Sequence, residues 1–464
     1  MRVFIVFTIL FFSASLFAQN DTISTEKSGK KKEIRKKGWN FLPFPYLTFD
    51  TDLGVEFGAS CSAVDFGNGD IYPKAYHLMF LSASIYTKGS ATLMFNYESD
   101  YLIKGIKTLF DVAYLPDMAF DFYGFNGYEA VYNADWRDDK SPDYKSRLFY
   151  KLKRKMLRIR TTFQGQIGRS NFKWQAGFEL YNVNMASLNI DRLNKGKDED
   201  KMLPAIDSVP PIYNRYIHWG LIPENQKDGG LFSILKAGIV YDTRDNEMAP
   251  MKGIWAEATF VGAPKFMSTM DDSFMKLVFY WRHYVPIVKN HLSLAYRLNY
   301  QGTIAGSTPW YAQTFRFNSV ANGLYNEGLG GGKTIRGVLR NRVVGDGSVM
   351  GNFELRYAFW KFIVFKQNID MVVSGFFDTG RVVQYIDVED IIENLTESEI
   401  DYKNEGDKKS DYFDLGAEKF HNAAGGGLHI IVNHNIVVAF DFAKAFNKQD
   451  NDGLGVYIGS YFLF

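Results

Sequence analysis

The stretch 328–338, GLGGGKTIRGV, contains GGKT, the four residues that close a phosphate-binding P-loop. That chemistry needs another glycine five positions before Gly332, so that successive backbone N–H groups can curl around a phosphate. The position is Glu327, a carboxylate where an anion would have to approach. No nucleotide and no nucleic acid is therefore expected as a ligand, and the glycines mark a backbone that needs unusual angles. Three residues beyond Lys333, Arg336 stands between Ile335 and Gly337. A guanidinium fork suits the planar oxygens of carboxylates, and the next two strand-like segments carry Glu354 and Asp378. If the glycine-rich segment folds back on those strands, Arg336, Gly337, Glu354 and Asp378 form a latch.

Other reactive groupings are sparse. The chain has no G-x-S-x-G elbow, no H-E-x-x-H helix and no EF-hand loop. His429 and His434 are close in sequence, but a short turn divides them between neighbouring strands, which suits wall or turn residues. Cys61 is the only cysteine, which excludes an internal disulfide framework and a cysteine-based metal site. The expectation is a protein that is not an enzyme and holds no cofactor and no metal.

The elements that must position the latch are legible in the patterning. The first 18 residues combine Arg2, an apolar run from Val3 to Phe12 and small residues ending at Ala18, as in a secretory signal peptide. Its removal takes one arginine and leaves 52 basic against 52 acidic groups, so no strongly charged partner is implied. Residues 19–40 read as a basic periplasmic leader, with seven Lys and Arg between Lys27 and Lys37. Aromatics make up 16% of the chain, with 28 Tyr and 40 Phe, yet the mean hydropathy is −0.20. A transmembrane β-barrel conceals its hydrophobicity in this way, because each strand alternates between lipid and lumen.

From residue 41 to 464 there are sixteen segments with period-two alternation, beginning with 41–50 and ending with 453–464. The long connections 117–154, 187–230, 305–346 and 383–419 all fall on one side, whereas the short ones near 171, 289 and 433 fall on the other. Barrels sort loop length by parity in this manner, with short periplasmic turns and long extracellular loops; only the connection near 67–76 is longer than its side requires. The fold class is therefore all-β: a 16-stranded antiparallel transmembrane barrel over 41–464, with the long loop 305–346 folded into the lumen. In the last segment Leu454, Val456, Ile458, Phe462 and Phe464 share the face expected to meet lipid. Similarly, Phe353, Leu355 and Tyr357 should point outward, with Asn352, Glu354 and Arg356 inward. Segment 386–418, rich in Asp and Glu, is expected to be a solvated extracellular loop.

These pieces resemble the bacterial surface antigen family, the BamA/TamA-type outer-membrane barrels. The resemblance rests on IRGV at 335–338, GNFELRYAF at 351–359, FFDTGRV at 376–382, YDTRDNEMAPMKG at 241–253 and AAGGGLHI at 423–430, in that family's order along the barrel. It implies that Arg336 contacts the acidic wall residues Glu354 and Asp378, and that Tyr457, Gly459, Phe462 and Phe464 form the C-terminal signal by which barrels are recognised for assembly. Val338 stands where the family has an aromatic. Residues 19–40 are too short for a periplasmic POTRA domain, so the expectation is a barrel lacking POTRA domains.

The implied function is insertion or translocation of protein or lipid at the bacterial outer membrane, by an integral barrel. It would act at the seam of the first and last strands, where Pro43 and Pro45 cannot donate ladder hydrogen bonds. The implied partners are outer-membrane lipid, the barrel-assembly machinery during biogenesis, and a periplasmic or lipoprotein partner in place of POTRA domains. The alternatives are a passive or gated pore and a non-catalytic assembly partner of another outer-membrane complex.

Overall fold

The alternation becomes one sheet of sixteen antiparallel strands in which every strand pairs with its sequence neighbours. In chain order they are β1 (Trp39–Asp50), β2 (Gly54–Asp65), β3 (His77–Tyr86), β4 (Ala91–Ile103), β5 (Ile106–Asp121), β6 (Lys151–Gln166), β7 (Phe172–Ala186) and β8 (Gly229–Asp242). They continue with β9 (Gly253–Ala263), β10 (Phe274–Val288), β11 (Leu292–Gly306), β12 (Gly347–Val364), β13 (Gln367–Gln384), β14 (His421–Val432), β15 (Ile436–Ala445) and β16 (Leu454–Gly459). This computed structural model describes residues 22–23, 34–50, 54–72, 74–247, 249–319, 328–403, 405–434, 436–459, 462 and 464. The proposed signal peptide, residues 1–18, lies outside the described residues.

Strand faces follow the pleat. Along β12, Phe353, Leu355 and Tyr357 are exposed while Asn352, Glu354 and Arg356 are buried. Short turns close one rim: Phe365–Lys366 and Asn433–His434 both carry positive φ at each residue, the twist that joins antiparallel strands without splaying them. The other rim carries the four long connections. Their described residues are packed as well as solvated. They include the helices α1 (Ile190–Asn194), α2 (Ile212–His218), α3 (Glu389–Asn394) and α4 (Glu397–Ile400). Phe122, Trp136, Phe149, Tyr216, Trp219, Trp310, Tyr412 and Phe413 pack there as one buried aromatic core continuous with the lumen side of the strands.

The acidic segment 386–418 therefore departs from expectation. Ile392, Leu395 and Ile400 are buried in that core, and Glu405 and Asp407 both bond the buried Arg215 of α2, at 2.8 Å each. Lys145 reaches the same two carboxylates at 2.6 Å. Its acidic character was legible, but the apolar positions at helical spacing within it decide that it packs.

The end of the chain also departs from expectation. The last strand is described over Leu454–Gly459, with Phe462 and Phe464 outside it, and Leu454, Val456 and Ile458 keep the outward face. Phe462 and Phe464 do not continue that face; they are buried, at 5% and 6% exposure. The physical reason is a set of partners inside the wall that alternation cannot reveal, and these belong to the site.

Candidate functional site

The segment 328–343 is tied into a compact knot before it meets the wall. Leu329 and Val343 exchange two backbone hydrogen bonds of 2.9 and 3.1 Å, and Gly331 N–H donates to Val338 O at 2.8 Å. Thr334 Oγ1 accepts from Gly330 N–H at 2.8 Å and donates to Gly330 O at 2.9 Å. Thus the threonine of the apparent phosphate motif is spent on its own turn. Gly330, Gly331 and Gly337 have φ of +113°, +85° and +96°, a region that L side chains rarely enter. Ile335 and Val338 are buried with Leu329, Val343, Met350 and Val382, so an aliphatic pair seats the knot at the position where Val338 replaces an aromatic.

This packing aims Arg336, with 0% exposure, at three strands. Nε and Nη2 donate to the two oxygens of Asp378 on β13, at 2.9 and 3.2 Å, and the Arg336 backbone N–H adds a bond of 3.0 Å to the same carboxylate. Nη1 donates to Glu354 on β12 and to Asp441 on β15, each at 3.2 Å. The guanidinium also lies 3.3 Å from the Phe376 ring centroid, a stacking that a planar cation favours. The structure thus brings Arg336, Glu354 and Asp378 together and adds Asp441. Sequence reasoning missed that residue, although its place between outward Phe440 and Phe442 carried the same alternation signal.

Gly337 turns the knot onto the final hairpin. Its N–H donates to Tyr457 Oη on β16 at 2.8 Å, and its carbonyl accepts from Asn451 Nδ2 at 2.9 Å. A Cβ at Gly337 would lie 2.9 Å from the Lys444 carbonyl carbon on β15. Tyr457, read in the sequence only as part of an assembly signal, is here a contact of the knot. Lys333 contributes its backbone: its carbonyl accepts from Arg297 Nη2 at 3.1 Å, beside the Asn352 Nδ2 bond of 2.7 Å to Thr334 O.

Glu354 is shared. Its second oxygen accepts from Arg356 Nε at 2.9 Å, and Arg356 Nη2 donates to Phe464 O at 3.0 Å. The same guanidinium sits 4.2 Å from the Phe462 ring, while Phe464 packs with Tyr284 and Ala295. His429 meets Asp441 at 3.0 Å and the edge of Phe462 at 4.4 Å. One buried network therefore runs from the loop through Glu354 and Asp441 to the terminal aromatics. Gly459 pairs with Ala439 as the last described ladder residue of β16. Pro43 and Pro45 sit opposite Cys61 and Ala59 in β1, away from this network, and among the described residues no group of His, Cys, Asp and Glu has the arrangement of a metal site.

Chemically, this is an all-protein clamp: Glu354, Asp378 and Asp441 each meet an arginine inside the wall, and the fold and the clamp define a sixteen-stranded barrel with a loop anchored in its lumen. Residues 79–462 match the Omp85 superfamily domain, and the chain belongs to that superfamily of outer-membrane β-barrels. Among solved structures it is similar to BamA from Haemophilus ducreyi lacking POTRA domains 1–3, with 14% identity over 95% of this chain and 74% of that one, at a TM-score of 0.46. It is also similar to CdiB from Escherichia coli, with 9% identity over 94% of this chain and 66% of that one, at a TM-score of 0.49. The chain thus spans slightly less than two thirds of the CdiB chain. No curated protein matches it.

Proposed function

We propose that this barrel inserts or translocates protein or lipid at the outer membrane, and that the Arg336 clamp holds the lumen loop in its working position. The observation that carries this reading is that the clamp joins β12, β13 and β15 through one arginine, while Gly337 joins β16. Through Asp441 on β15 and Tyr457 on β16 the loop is thereby bonded to the last two strands, beside the seam where an opening would have to occur. In this reading residues 1–18 are a signal peptide, 19–40 a periplasmic leader and 41–464 the barrel, with the short-turn rim in the periplasm and the aromatic cap outside. Tyr457, Gly459, Phe462 and Phe464 are read by the barrel-assembly machinery during biogenesis, and Pro43 and Pro45 weaken the seam. A periplasmic or lipoprotein partner works with the barrel.

The packed cap and the filled clamp argue against a standing pore, which would need an open lumen. Depletion of the protein, followed by an inventory of outer-membrane proteins and surface lipids, tests the proposal. A broad loss of barrels identifies an insertase, and loss of one species a dedicated exporter. An unchanged inventory, or a large steady conductance of the purified barrel, sinks the reading.

A further inference from the structure

Residues 66–76, between β2 and β3, form the connection that is too long for its rim. Its near side is bound to the first strands: Gly38 N–H donates to Gly67 O at 2.7 Å, Phe66 N–H to Gly38 O at 3.0 Å, and Tyr76 N–H to Asp65 O at 2.7 Å. Its far side reaches elsewhere. Tyr72 Oη accepts from Asn368 Nδ2 of β13 at 3.0 Å, and the Tyr72 ring meets the edge of His434, in the β14–β15 turn, at 6.3 Å. Behind it the ring packs on Phe66, 5.3 Å away and buried. Asn368 and Asn433 are themselves locked together: Asn433 N–H donates to Asn368 O at 2.9 Å, and Asn368 N–H to Asn433 Oδ1 at 3.0 Å. In the strand order, β2 and β3 lie near one end and β13 to β15 near the other, so this contact joins the two ends without using the β1 or β16 ladder.

We propose that the connection 66–76 is a strap across the seam at the short-turn rim, with Tyr72 as its buckle. Four features support it: length beyond what a hairpin needs, an anchored root on β1 and β2, a buried ring as pivot, and a receiving surface on paired asparagines. Parting of β1 and β16 must first release Tyr72 from Asn368 and His434. The strap therefore limits how far the seam opens, whatever passes through it, and the inference does not depend on the insertion reading.

The test uses the full chain in membranes. In a Cys61→Ser background, Tyr72→Cys with Asn368→Cys should be joined in most folded molecules by a short bis-maleimide that spans the length of the lost ring, and neither single variant should be joined internally. The joined barrel should keep its compact gel mobility at temperatures where the unjoined one loses it. Tyr72→Phe, which needs no thiol change and keeps the ring packing, should shorten the lifetime of the compact form roughly three- to tenfold, the loss of one net hydrogen bond. No internal cross-link in folded protein, or a Tyr72→Phe lifetime equal to the parent's, overturns the strap. Neither readout depends on the cargo, so failure of the functional proposal would leave this result standing.

Discussion

Replacement of Arg336 by alanine tests the clamp most directly. Asp378 is buried with 0% exposure and Glu354 with 1%; without the guanidinium, Asp378 keeps only the Arg336 backbone N–H among the bonds described above, whereas Glu354 keeps Arg356. Breaking a buried charge pair from one side costs about 3–5 kcal/mol, which corresponds to a shift of roughly 10²- to 5 × 10³-fold from docked to released loop. Docked, Lys333, Arg340 and Arg342 should resist trypsin; in Arg336→Ala, cleavage after those residues should appear in folded barrels, and the heat-induced change of gel mobility should begin at a lower temperature. Arg336→Lys keeps the charge but not the fork, and should lose less, about 1–3 kcal/mol. Adding Asp378→Ala to Arg336→Ala should cost less than the two single changes summed, because the orphaned carboxylate is gone. An Arg336→Ala protein with unchanged trypsin resistance and unchanged heat response would refute the clamp.

Three further outcomes follow from the same geometry. Gly337→Ala places a methyl group 2.9 Å from the β15 backbone at φ +96° and should destabilise the docked knot by about 1–3 kcal/mol, whereas Gly416→Ala, with open space around it, should cost less in the same trypsin assay. Phe464→Ala should lower the temperature of barrel unfolding far more than Val456→Ala on the exposed face, since loss of a buried phenylalanine costs about 3–5 kcal/mol; equal effects would place Phe464 on the lipid side. In the cap, burial raises the pKa of Asp407, but hydrogen bonds from Lys145 and Tyr412 and the charges of Lys145 and Arg215 outweigh it and hold the carboxyl below its ordinary range. The stabilisation is therefore complete above the unfolded carboxyl's pKa, about 3.9, and is lost as pH falls through the lower folded value. Fluorescence of Trp136 and Trp219 should report this loosening in acid, and Asp407→Asn should remove the pH dependence.

Local pattern carried a large part of this molecule. Sixteen alternating segments, and loop lengths sorted by parity, were enough to place β1 to β16, most ends falling within a few residues. Two of the exceptions share a cause. β5 runs on to Asp121 and β6 begins at Lys151, where sequence suggested 116 and 155, because the cap extends the hairpin beyond the point where lipid would demand alternation. Arg336, Glu354 and Asp378 were legible since each had a type, a face and a reach. Arg356 was assigned to the correct face, but its partner Phe464 was read as lipid-facing, since a pattern of alternate aromatics says nothing about which buried partners the last of them meet.

By itself the sequence determined the period of two, the order of strands, the side of the long loops and the residues whose charges needed company. Those properties are local: they depend on the pleat and on chain connectivity, which adjacent residues set. Only the tertiary structure decided that Asp441 joins the clamp, that Tyr457 serves the loop, that the acidic segment packs into an aromatic cap and that Tyr72 reaches across the strand order. Each of these brings together residues far apart in the chain, which local patterning cannot encode and only the packing of loops against the strands and against one another decides.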